Sequence, residues 1–148
     1  MKRPLILGLG NSFMGDDGVG MHVAQLLSAD PTITARADVI AAGTDLLNRI
    51  DDFAERTRVI LVDAEACQGP PGRVSVVDEV PMEEGAQFAH SLSAPQAVRL
   101  FQTLMPRLRN AKLTWVLIGV TSAGIGPQMS AEVAATVQPA ADLVKRLL

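Results

Sequence analysis

The chain contains no tyrosine and only one cysteine, one tryptophan and two histidines among its 148 residues. A single thiol, Cys67, excludes an internal disulfide and any zinc site built from cysteines. No apolar run approaches the ~20 residues that a membrane-spanning helix needs. Excess positive charge is missing too. The 13 Lys and Arg are outnumbered by 16 Asp and Glu, so the net charge of −3 leaves no basic footprint for nucleic acid. Met1-Lys2-Arg3-Pro4 leads straight into an apolar stretch without a signal-peptide core or cleavage site. A soluble, cytoplasmic, monomeric protein is expected. Neither a G-x-S-x-G elbow nor an H-E-x-x-H helix occurs anywhere, which removes two common routes to hydrolysis.

What is present suits one α/β domain over residues 1–148, with 48% hydrophobic residues and length enough for an ordinary core. Aliphatic runs at Leu5–Leu9, Asp38–Ala42, Arg58–Asp63, Arg73–Val77 and Lys112–Val120 read as strands. Between them apolar residues recur at helical spacing. One face carries Val19, Val23, Leu26 and Leu27, and a second, capped by Thr44 or Asp45, carries Leu47, Ile50 and Phe53. A third face, Val98, Phe101, Leu104, Met105 and Leu108, follows a capping box at Ser93-Ala94-Pro95-Gln96. A last helix, capped by Ser130, carries Val133, Val137, Ala140, Val144 and Leu147 and should kink at Pro139. Residues 78–91 read as a long loop. Strands alternating with helices predict an open, mostly parallel, twisted sheet with helices on both faces.

The stretch from Leu5 to Gly20 organises the rest. It reads as a buried strand, a glycine-rich loop and the start of a helix, the usual cradle for a phosphate. Two phosphate motifs nevertheless fail. A G-x-G-x-x-G fingerprint needs glycine where Phe13 stands, and a P-loop needs Lys and Ser/Thr where Asp16 and Asp17 stand. Two carboxylates in place of a lysine repel phosphate and suit a cation.

Ligands of open α/β sheets collect at the carboxyl ends of the strands, which brings the Asp16-Asp17 loop and Asp63 to one edge. Two carboxylates and the loop imidazole of His90 would form a three-ligand site with open positions, suited to zinc or nickel and to catalysis. Read from spacing alone, Asp63 equally suits a plain strand end and His90 better suits a solvated loop. Whichever of Asp16 and Asp17 is not a ligand would cap the first helix. His22 should lie on the exposed side of that helix. Cys67 follows Asp63 at the same edge, yet no neighbouring residue supplies the base a thiol nucleophile needs, so it reads as a small, partly buried residue.

Gly8-Leu9-Gly10-Asn11 followed by Gly15-Asp16-Asp17-Gly18-Val19-Gly20 resembles the opening motif of the NiFe-hydrogenase maturation endopeptidases. The similarity extends through Gly43-Thr44, Ile60-Leu61-Val62-Asp63-Ala64, His90 and Gly119-Val120 to the end of the chain. The resemblance implies an endopeptidase that removes a C-terminal extension from a nickel-loaded hydrogenase large-subunit precursor. It implies Asp17, Asp63 and His90 as the metal and catalytic residues, and nickel supplied by the substrate as the metal. Two departures stand out. Ala42 replaces the first glycine of a Gly-Gly-Thr turn, and no Ser or Thr precedes His90. Two other readings of the same residues are a nickel-sensing chaperone that binds the precursor without cutting it, and a small-molecule hydrolase.

Overall fold

The computed structural model describes residues 2–81, 92–121 and 124–148. His90 and most of the segment read as a long loop lie outside the described residues. Five strands form one sheet in the order β2-β1-β3-β5-β4, with β1 at Leu5–Leu9, β2 at Asp38–Gly43, β3 at Arg58–Ala66, β4 at Val74–Val77 and β5 at Lys112–Val120. The first four are mutually parallel, and β4 closes the edge antiparallel to β5. The expected mostly parallel sheet is what forms.

Period-two alternation divides the side chains between two cores. Ile6, Ile60, Val62, Val116 and Ile118 pack with α1 (Val19–Ser28) and α6 (Val137–Leu147) on one face. Leu5, Leu7, Val59, Leu61, Trp115 and Leu117 pack on the other with Phe53 of the one-turn helix α3 (Ile50–Phe53) and with α4 (Ala94–Leu104). Phe53 and Phe101 meet edge to face at 5.0 Å between ring centroids, an arrangement worth about 0.5–1.5 kcal/mol beyond the area it buries. Asp63 follows Leu61 by two residues along β3, so it sits on the α4 face of the sheet.

Helix α1 lies unusually close to the sheet. A methyl group at Gly20 would fall 2.3 Å from the Val62 carbonyl oxygen and 2.5 Å from that of Leu9. Only glycine allows this approach, and it draws the loop after β1 down over the end of β3.

Several expectations are corrected. The second helix shrinks to a 3-10 turn at Leu47–Arg49 plus α3, and no side chain caps it; Asp45 instead accepts a hydrogen bond from the Asn48 amide. Leu26 and Leu104, placed by periodicity on buried faces, are exposed, and Leu108 is buried from a separate 3-10 helix, Pro106–Asn110. The last helix is broken rather than kinked, into α5 (Ala131–Ala134) and α6, with Pro139 in the first turn of α6. Proline lacks the N–H that would continue the α5 hydrogen bonds, so the chain restarts its helix just before it. The capping box at Ser93 forms as read, with the Gln96 N–H on the Ser93 hydroxyl and the Gln96 side chain on the Ser93 N–H. A four-residue helix α2, Pro31–Thr34, has no counterpart in the sequence reading. Among the described residues no helix is long and apolar enough to cross a membrane.

Candidate active site

A cleft of about 260 Å³ opens at the carboxyl ends of β1, β2 and β3. Leu9, Gly10 and Asp17 line it from the first loop, Gly43 to Leu47 from the second, and Asp63 from the third strand. The start of α4 closes it with Leu92, Ala94 and Ala97. Asp17 and Asp63, predicted from loops more than 40 residues apart, therefore share one cavity. A larger cavity, about 330 Å³, lies at the amino end of β5 between α4 and the end of β4 and contains none of the predicted residues. Chemistry, not volume, selects the smaller one.

Local folding fixes Asp17 closely. The chain leaves β1 through Gly10, whose φ of +119° suits glycine, and a methyl group there would fall 1.9 Å from the Asp17 carbonyl oxygen. The Asn11 N–H donates to Asp17 Oδ2 at 2.8 Å, the Asp17 N–H donates to the Met14 carbonyl at 3.1 Å, and the Phe13 N–H donates to Asn11 Oδ1 at 3.0 Å. One Asp17 oxygen is thus anchored by the loop that carries it.

Asp63 is held differently. Its Oδ1 accepts the N–H of Ala64 at 2.8 Å, while burial pushes its carboxyl up from the ordinary 3.8 to about 7. The Ala64 bond opposes that rise, and the negative charge of Asp17 adds to it. A carboxyl that changes protonation near neutrality can take and return a proton, and in a cleft such a perturbed acid marks a candidate functional group.

Asp16 does not cap the first helix, contrary to expectation. It is buried and accepts two hydrogen bonds from Ser130, from the N–H at 2.7 Å and from the hydroxyl at 2.9 Å. The same hydroxyl accepts the Val133 N–H at 3.4 Å and so caps α5 as predicted. Asp16 ties the opening loop to the C-terminal segment across 114 residues of sequence, a relation that no local pattern signals. The helix that follows starts at Gly18 without any side-chain cap.

The remaining candidates separate from the cleft. His22 is half-buried in α1 and Cys67 half-buried beyond the end of β3, and neither lines the cavity. The Cys67 sulfur packs against Gly119 and faces the carbonyls of Gly69 and Pro70. Sequence reasoning missed Thr44, Asp45 and the start of α4 as cleft walls, because the first two looked like helix caps. Among the described residues no group of three His, Cys, Asp or Glu side chains could hold a metal ion. Two half-buried carboxylates, Asp17 and Asp63, line the cleft, together with the exposed Asp45.

Known proteins resemble this chain in sequence and in fold. The profile of the hydrogenase maturation protease family matches residues 21–147, beginning just past the opening glycine-aspartate motif. Protein FrxA of Pyrococcus furiosus is 26% identical over 138 residues, covering 91% of this chain and 97% of that protein. The hydrogenase 2 maturation protease of Escherichia coli is 27% identical over 97 residues, covering 64% of this chain and 57% of that one. The solved structure of the [NiFe] hydrogenase maturation protease HybD from Thermococcus kodakarensis superposes with a TM-score of 0.77, at 26% identity and over 99% of both chains. The profile match spans most of the chain and the fold agrees with it, so the chain belongs to the hydrogenase maturation proteases, which process the precursor of a hydrogenase large subunit.

Proposed function

We propose that this protease removes a C-terminal extension from a NiFe-hydrogenase large-subunit precursor that already carries nickel. In this reading Asp17 and Asp63, joined by His90, meet the nickel ion of the substrate. The observation that carries it is the convergence of Asp17 and Asp63 on one cleft at the strand ends. Two carboxylates that each keep an oxygen free of the bonds described above offer hard donors to an ion with open coordination positions.

Peptide hydrolysis needs a water activated for attack and a proton delivered to the leaving amine. Asp63 is placed to serve both ends of that exchange: its carboxyl lies at about 7 with no ion bound, and engagement of the nickel would lower it. Its ionised form takes the proton as a water oxygen bonds to the scissile carbonyl carbon. The protonated form returns it to the amine nitrogen as the C–N bond breaks. Asp17, fixed by the Asn11 N–H, contributes charge and position rather than proton transfer. The nickel serves recognition, as a mark that the precursor is ready.

Variants of Asp17 and His90 test the assignment. Asp17→Asn and His90→Ala should each stop the cut, read by mass spectrometry of the precursor, while leaving the protein folded. Wild-type cutting by either variant would remove that residue from the site. A stable complex of wild-type protein with uncut, nickel-loaded precursor would point to a chaperone instead.

A further inference from the structure

Ile125 and Phe13 are the most exposed large apolar side chains described, with 98% and 75% of their surfaces in water. Both sit on a firmly tied ribbon. The Gly126 N–H donates to the Phe13 carbonyl at 2.7 Å, and the Gly15 N–H donates to the Gly126 carbonyl at 2.8 Å. These bonds pair Met14 with Gly126 in an isolated parallel bridge, and Phe13 and Ile125 are the residues that enter it on the two segments. The two bonds from Ser130 to Asp16 lock the same ribbon from behind.

The loop that carries Phe13 also borders the cleft, since it supplies Gly10 and Asp17 to the wall. Phe13 is three peptide steps from Gly10, so the two lie within about 11 Å by chain length alone. At about 260 Å³ the cleft is smaller than the ~300–1,000 Å³ pockets that enclose small ligands. It admits a short segment of chain and little more. A specific protein–protein contact covers about 800 Å² on each partner, so recognition of a folded substrate must extend over the surrounding surface. Residues 10–15 and 124–129 carry no charged side chain, which is the composition of an interface core.

We propose that Phe13 and Ile125 form an apolar docking element that grips a complementary hydrophobic surface of the precursor protein while its tail lies in the cleft. This inference rests on the protease reading above and names how the substrate is held. A Phe13→Ser/Ile125→Ser double variant tests it, because two exposed side chains contribute little to the core and the protein should melt as wild type does.

Binding of the nickel-loaded precursor to the full chain is measured by calorimetry, and cutting is followed in parallel. The Kd and KM should rise by at least about tenfold, as for loss of a hot spot. At saturating precursor, kcat should stay within about twofold of wild type, because uniform binding alone is lost. A Phe13→Leu/Ile125→Val variant should restore the affinity. An unchanged Kd in the serine variant overturns the proposal. So does sedimentation showing that wild type is a dimer which the serine variant splits, since the pair would then bind a second copy of this chain. A wild-type protein that binds the precursor but never cuts it contradicts the protease reading, whereas docking is still decided by the Kd of the variant.

Discussion

Replacing Asp63 with asparagine should stop catalysis and at the same time stabilise the fold at neutral and alkaline pH. Burial raises the Asp63 carboxyl from the ordinary 3.8 to about 7, so the folded protein holds a proton there that the unfolded chain has already lost. Stability from this group is therefore fully present below pH 3.8 and declines as pH rises toward 7, because the native state binds more protons over that interval. A gap of about three pKa units corresponds to a ceiling on the order of 4 kcal/mol above pH 7, at about 1.4 kcal/mol per unit. Asparagine has the same shape, keeps an oxygen for the Ala64 N–H at 2.8 Å, and carries no charge to desolvate. It should recover much of that loss, a gain of up to about 10 °C in Tm for a chain of this size. The assay is urea unfolding of wild type and Asp63→Asn at half-unit steps from pH 5 to 8. The stability difference should grow with pH and level off above 7. A difference that stays flat, or a wild type that is the more stable protein at pH 8, would refute a buried, strained carboxylate at this position.

Asp16→Ala should cost about 1–3 kcal/mol in the same unfolding assay, since it strips a half-buried Ser130 N–H and hydroxyl of a buried, charged acceptor. Asp17→Ala should cost less, as one backbone N–H of a partly exposed loop is its only described partner. Cys67→Ala should cut the precursor at the wild-type rate, because the thiol lies outside the cleft, and an inactive variant would reopen a thiol mechanism.

Much of this site could be read from the chain because its geometry follows from topology. Aliphatic runs without alternation require a sheet buried on both faces, and a parallel sheet sends its loops to one edge. Asp17 and Asp63 could be placed together before any coordinates. Local spacing misled where tertiary packing decided the outcome. The Leu47-Ile50-Phe53 pattern suits a helix, yet only Phe53 of the three is fully buried, and the element is two short turns. Asp16 stands where a helix cap belongs, and nothing within a dozen residues announces its bond to Ser130. Thr44 and Asp45 looked like caps because the cleft wall and a helix N-terminus use the same residue types.

The proposed role of nickel is tested most directly by giving the purified protein two forms of one precursor, nickel-loaded and nickel-free, and weighing both products by mass spectrometry. Asp17, Asp63 and His90 are expected to engage an ion that the precursor brings, so only the nickel-loaded form should lose its C-terminal segment, in a single cut. Equal cutting of both forms in the presence of a chelator would contradict that role and leave the two carboxylates as a metal-independent acid–base pair.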